Sequence, residues 1–125
     1  MVTVEAMEKA ADAATVAAAP ATVAQMVEEV VGCKWALRLL ALVRSGVCRP
    51  GAMERALDGL TTKVLNERLA KMVRFGILEK RSYPEVPPRV EYALTAFGER
   101  FVVILDAIED LQKYADRFPQ NERAS

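Results

Sequence analysis

The chain has 125 residues, 52% of them apolar, with 17 Lys/Arg balanced by 17 Asp/Glu and no histidine at all. Such a chain can bury the core of one ordinary domain, and the missing histidine excludes imidazole-based acid–base or metal chemistry. No P-loop, dinucleotide fingerprint or metal-ligand cluster is present, so no enzyme activity, no metal and no cofactor are expected. The zero net charge hides a gradient. Residues 1–33 carry one Lys against five acids, 34–92 carry twelve Lys/Arg against six acids, and 93–125 carry four against six. The basic middle is the footprint of a nucleic-acid reader, while the acidic flanks restrain nonspecific attraction to phosphate. The Ala-rich stretch 10–24 is broken by Asp12 and Pro20 and lacks a basic leader, so no membrane or export segment is expected and the protein is placed in the cytoplasm.

In chain order, residues 1–21 form a helix-favouring arm with Val4, Met7, Ala11 and Ala14 on one side. Alanine buries little area and short helices nucleate poorly, so this arm either frays or docks on a dimer. Residues 22–94 make up the predicted reading domain. Val23, Met26, Val27, Val30 and Val31 fall on one helical face, and Trp35, Leu39, Leu42 and Val43 continue it beyond Gly32, predicting two helices that meet at a bend. Ser45-Gly46 ends the second of these helices. Pro50 opens a third, running to about Leu57, because a missing amide donor costs nothing in the first turn. Asp58-Gly59 supplies the tight turn of a helix-turn-helix pair.

The next helix carries the reading surface. Thr61 can cap its N-terminus, Leu65, Leu69 and Met72 recur at the helical period, and Gly76 follows where a left-handed residue is wanted. The opposite face presents Lys63, Asn66, Glu67 and Ala70 with Thr62 at its edge, a cation, an amide and a hydroxyl suited to base edges in a groove. The period then changes from helical to alternating. Runs at 77–83 and 90–94, rich in branched and aromatic residues, predict two strands around the tip Pro84-Glu85-Val86-Pro87-Pro88. Three prolines in that tip deny it a ladder. Arg81 and Arg89 flank it and can clamp phosphates or enter a narrow minor groove; the plainer alternative is a solvated hairpin with incidental charge. Arg49, opening the third helix, joins Arg81 and Arg89 in the DNA-binding set.

Thr95 caps a closing helix, 95–118, with an apolar stripe of Phe101, Ile104, Leu105, Ile108 and Leu111. A stripe this broad exceeds what one small domain can cover, which predicts a dimer interface. Residues 119–125 are polar and expected to be disordered. The fold class that follows is mainly α with a small β-hairpin wing (α+β): a dimeric winged helix-turn-helix.

Gly32-Cys33-Lys34-Trp35, Leu65 with Arg68-Leu69, Pro87-Pro88-Arg89-Val90-Glu91-Tyr92 and Leu94-Thr95-Ala96-Phe97-Gly98 together resemble the HxlR family of winged helix-turn-helix transcriptional regulators, over roughly residues 30–111. The resemblance implies a DNA-binding regulator whose N- and C-terminal helices jointly form a homodimer interface. This chain departs from the family pattern where Pro50 follows Arg49 instead of an aromatic, where Cys33 stands for a second glycine, and where residues 1–32 contain no cysteine.

The expected partners are double-stranded DNA, in the form of a pseudo-palindromic operator, and a second copy of the chain; a small-molecule or redox effector stays unidentified. The alternative is a winged-helix module that binds protein instead of DNA, which Glu67 on the reading face and the mild charge permit. Cys33 and Cys48 lie at opposite ends of one predicted helix, on the order of 20 Å apart, too far for a bridge needing Cα atoms within about 7 Å. Cys33 is then a small core residue. Cys48, past the helix end, is the candidate for a redox or intermolecular thiol.

Overall fold

The computed structural model describes residues 20–118 and 120–123. The predicted N-terminal arm falls almost wholly outside the described residues. Helices α1 (Val23–Val31), α2 (Lys34–Arg44), α3 (Pro50–Ala56) and α4 (Thr62–Arg74) lead into an antiparallel hairpin, β1 (Leu78–Tyr83) and β2 (Arg89–Leu94). The long α5 (Ala96–Arg117) and the single turn α6 (Gln120–Arg123) close the chain. This is the helix-turn-helix with a wing that the sequence patterning leads one to expect. The described residues of the polar tail form α6, which is exposed and buries nothing.

Each helix begins and ends where its sequence dictates. Thr22 closes a capping box with Gln25 at the start of α1, its hydroxyl accepting from the Gln25 amide at 3.1 Å and its own amide donating to the Gln25 side chain at 2.8 Å. Gly32 ends α1 and Cys33 starts α2, which is the predicted bend. Pro50 sits in the first turn of α3. α4 ends in a Schellman motif: Gly76 turns at φ 79°, its amide donates to Val73, and the Ile77 amide donates back to Met72 at 3.0 Å.

The core is one cluster. Met26 and Val30 of α1, Ala36, Leu39 and Leu40 of α2, Met53 of α3, Leu65, Leu69 and Met72 of α4, and Ile77, Leu78, Tyr92 and Phe101 pack together. Removing each large aliphatic member from water stabilises the fold by about 1.5–3 kcal/mol. The central helix α2 touches α1, α4 and β2. Its buried face is rotated from the predicted one: Leu40 is buried and Trp35 only half so, because α2 must face α5 as well as α4. The Trp35 ring lies instead beside Lys34 and Arg38, whose charges sit 5.1 and 5.4 Å from it.

The root of the wing is fastened at three points. The Tyr92 amide donates to the Cys48 carbonyl at 2.8 Å, tying β2 to the loop between α2 and α3. The Thr95 amide donates to Ile77, and its hydroxyl donates to the Gly76 carbonyl while capping α5 through the Gly98 amide at 2.8 Å. Gly98 is there because nothing larger fits: a Cβ would stand 2.0 Å from the Ile77 carbonyl oxygen. Among the described residues, no helix is long and apolar enough to cross a membrane.

Candidate nucleic-acid interface

The predicted reading helix, α4, is fixed from below and exposed above. Leu65, Leu69 and Met72 are buried to 1%, 0% and 2% exposure, so the rotation of the helix about its axis is set by the core. Lys71 pairs with Glu29 of α1 at 2.8 Å, holding the C-terminal half. At the other end the Thr61 hydroxyl accepts from the Val64 amide at 3.2 Å, and the Thr62 hydroxyl donates to Glu54 of α3. Thr61 and Thr62 therefore lock the turn between the two helices, a bond between α3 and α4 that periodicity alone did not reveal. Lys63, Asn66 and Glu67 are exposed, and their side chains have no partner among the described residues.

Arg81, Arg89 and Glu91 share one face of the hairpin, since the register pairs Arg81 with Glu91 and Tyr83 with Arg89. On this face each cation is already engaged. Arg81 donates to Glu79 through Nε at 3.0 Å, and that hydrogen bond, with the Glu79 charge, raises its pKa further. Arg89 stacks over the Tyr83 ring at 4.0 Å and reaches Glu85 at 3.1 Å and Glu91 at 3.6 Å. Its Nε is buried without a hydrogen-bond partner among the described residues. Arg49, the cap residue of α3, reaches the same Glu91 oxygen at 3.5 Å. The three carboxylates were not anticipated, although alternation of opposite charges across a hairpin signals such pairing.

The tip 84–88 lies beyond the last paired residues, Tyr83 and Arg89. The predicted start of β2 moves by one residue, because Arg89 itself joins the ladder. Val86 at the tip is fully exposed.

The predicted partner-facing stripe divides. Phe101 is 2% exposed and packs in the core of its own domain, with Phe97 stacked at 6.3 Å, so it is withdrawn from any interface. Leu105 is half-buried against the core. Ile104, Ile108 and Leu111 are 40%, 38% and 67% exposed, and Val103, missed by the stripe, is 62% exposed. Asp106 on the same helix forms a two-pronged ion pair with Arg44 at 2.8 and 2.9 Å, which holds its carboxyl below the usual carboxylate range. Cys33 and Cys48 are both free and half-buried; Cys33 packs against the core.

An HxlR-like helix-turn-helix model matches residues 30–122. A helix-turn-helix transcriptional regulator of Synechocystis, sll1512, is 39% identical over 70% of this chain; the match takes in 64% of that protein, less than two thirds of its length. A MarR-family transcriptional regulator from Enterococcus faecalis V583 superposes with a TM-score of 0.62 at 35% identity, covering 80% of this chain and 88% of the other. The reduced form of the redox regulator HypR superposes with a TM-score of 0.64 at 26% identity, over 76% of this chain and 94% of its own.

Proposed function

Since the chain belongs to the HxlR-like helix-turn-helix family, we propose that it is a transcriptional regulator that recognises a pseudo-palindromic operator as a homodimer and catalyses no reaction. The observation that carries this reading is the state of α4. Lys63 and Asn66 stand exposed and, among the described residues, unpartnered on a helix whose orientation the core fixes. An asparagine can pair bidentately with adenine and a lysine can donate to guanine, so an uncommitted pair on a rigid helix is equipped for major-groove reading. Thr61, Thr62 and Glu67 border the contact, and Arg49, Arg81 and Arg89 take flanking phosphates.

Two such helices, about 34 Å apart, meet successive major grooves on one side of a duplex. The dimer that spaces them forms through Ile104, Leu105, Ile108 and Leu111 of α5 together with the N-terminal arm. Apolar side chains exposed along one helix face support this, since a monomer rarely leaves such a patch bare. The protein works in the cytoplasm. Its effector is a small molecule or an oxidant, and Cys48, on the loop that fastens the wing, is the position at which an oxidant would act.

Competition gel shifts with the duplex upstream of its own gene and a scrambled duplex test the reading. Preferential retention of the first is expected, and equal retention of both would remove sequence specificity. Sedimentation at micromolar concentration tests the dimer. A monomer would overturn it.

A further inference from the structure

We propose that the cleft between the wing and the first turn of α3 seats one backbone phosphate of the duplex, with Arg55 as its third cationic wall and Glu85 as the counter-ion that the phosphate displaces. The inference rests on the DNA-binding reading above and extends it to residues that reading leaves aside.

The geometry converges on one point. Arg49 Nε and Arg89 Nη1 lie 3.5 and 3.6 Å from the same atom, Glu91 Oε1, so two guanidiniums from different elements already share a single anionic oxygen. A phosphate oxygen is an acceptor of the same kind. Arg55 enters from the helix side. It folds back along α3 so that its Nη1 lies 3.4 Å from where a Cβ on Gly51 would stand, and it lines the cleft together with Arg49 and Arg89. A larger residue at position 51 would crowd the guanidinium in this position. The cleft measures about 560 Å³, enough for a phosphodiester, and its remaining walls include Pro50, Ala52, Val86 and Pro87, which offer sugar contact without competing charge.

Charge decides the occupant. Three arginines face two carboxylates, leaving one positive charge unmatched. Glu91 is 21% exposed and lies outside the lining of the cleft, paired with both Arg49 and Arg89, so it stays in place behind them. Glu85 is 52% exposed on the tip and holds only Arg89, at 3.1 Å. It is the weaker competitor, and an arriving phosphate takes its place on Arg89.

Arg55→Ala, Arg55→Lys and Glu85→Gln, each at an exposed position, test the seat when titrated against the upstream duplex and a scrambled duplex of equal length over a range of salt. Arg55→Ala should weaken both duplexes by a similar factor, about fivefold, and flatten the slope of log K against log salt by about one unit, while Arg55→Lys restores most of that slope. Glu85→Gln should tighten both duplexes and steepen the slope. Wild-type affinity and slope in Arg55→Ala, or weaker binding in Glu85→Gln, would overturn the seat alone. A wild type that binds neither duplex would overturn the DNA-binding reading and the seat with it.

Discussion

The outer face of α4 and the charged face of the wing are both rich in groups suited to DNA, yet they are kept in opposite states. On α4, Lys63, Asn66 and Glu67 have no side-chain partner among the described residues and can meet a base without giving anything up. On the wing, Arg81, Arg89 and the neighbouring Arg49 are matched by Glu79, Glu85 and Glu91. A phosphate must displace a carboxylate already in place, so the net gain per contact is smaller than that of a free cation. Under the proposed function this difference divides the labour: the proposed discriminating surface is uncommitted, and the proposed phosphate-binding surface is held back. A regulator that must find one site among many benefits from this arrangement, since specificity is the ratio of the two affinities.

The largest expected effect comes from breaking what the two regions share. Gly98→Ala places a Cβ against the Ile77 carbonyl, at the junction of α4, β1 and α5, where the obstacle is backbone and cannot swing away. A loss of about 3 kcal/mol is expected, with a fall of about 12 °C or more in the melting temperature at roughly 4–8 °C per kcal/mol. An unchanged melt would show that α5 can slide. Next in size, Asn66→Ala should lower operator affinity by roughly five- to a hundredfold, or about 1–3 kcal/mol, and scrambled duplex by little. An unchanged ratio in competition gel shifts would take Asn66 out of the reading face.

Arg81→Ala should act on the other side of the comparison, weakening all duplexes alike by a few fold and flattening the salt slope by about one unit. A change in base preference with the slope intact would make the wing a reader. The smallest effect belongs to a control outside both regions. Asp106 has its pKa lowered by the Arg44 hydrogen bond, so its contribution is present above the unfolded carboxylate value of about 3.9 and is lost as pH falls through the lower folded value. Asp106→Asn should therefore differ slightly from wild type at neutral pH and converge with it in acid, as thermal melts across pH would record. A gap that persisted in acid would mean the pair acts through packing.

The elements with local causes were legible in the sequence. Thr61, Pro50, Gly76 and Thr95 each announce a helix end by their own backbone chemistry, and the structure puts caps or turns at all four. The exposed face of α4 was also legible, because the period of Leu65, Leu69 and Met72 leaves Lys63 and Asn66 on the other side. What was hidden depends on partners distant in sequence. Leu40 could not be distinguished from its neighbours until α5 was in place to cover it. Phe101 reads as part of the outward stripe, but the close approach allowed by Gly98 brings the start of α5 onto the hairpin root and turns that ring inward. The carboxylates of the wing are visible as letters, yet their engagement follows from the register that sets Arg81 across from Glu91.

The junction at Thr95 and Gly98 also makes the molecule a lever. The same few atoms end the reading helix, begin the hairpin and cap α5, with Gly76 and Ile77 both bonded to Thr95. α5 has 22 residues, an arm of about 33 Å at 1.5 Å per residue. These bonds and the tight fit at Gly98 couple the direction of α5 to that of α4. In the proposed homodimer, the crossing angle between two copies of α5 sets the distance between their α4 helices, so the proposed effector would retune DNA binding without touching α4.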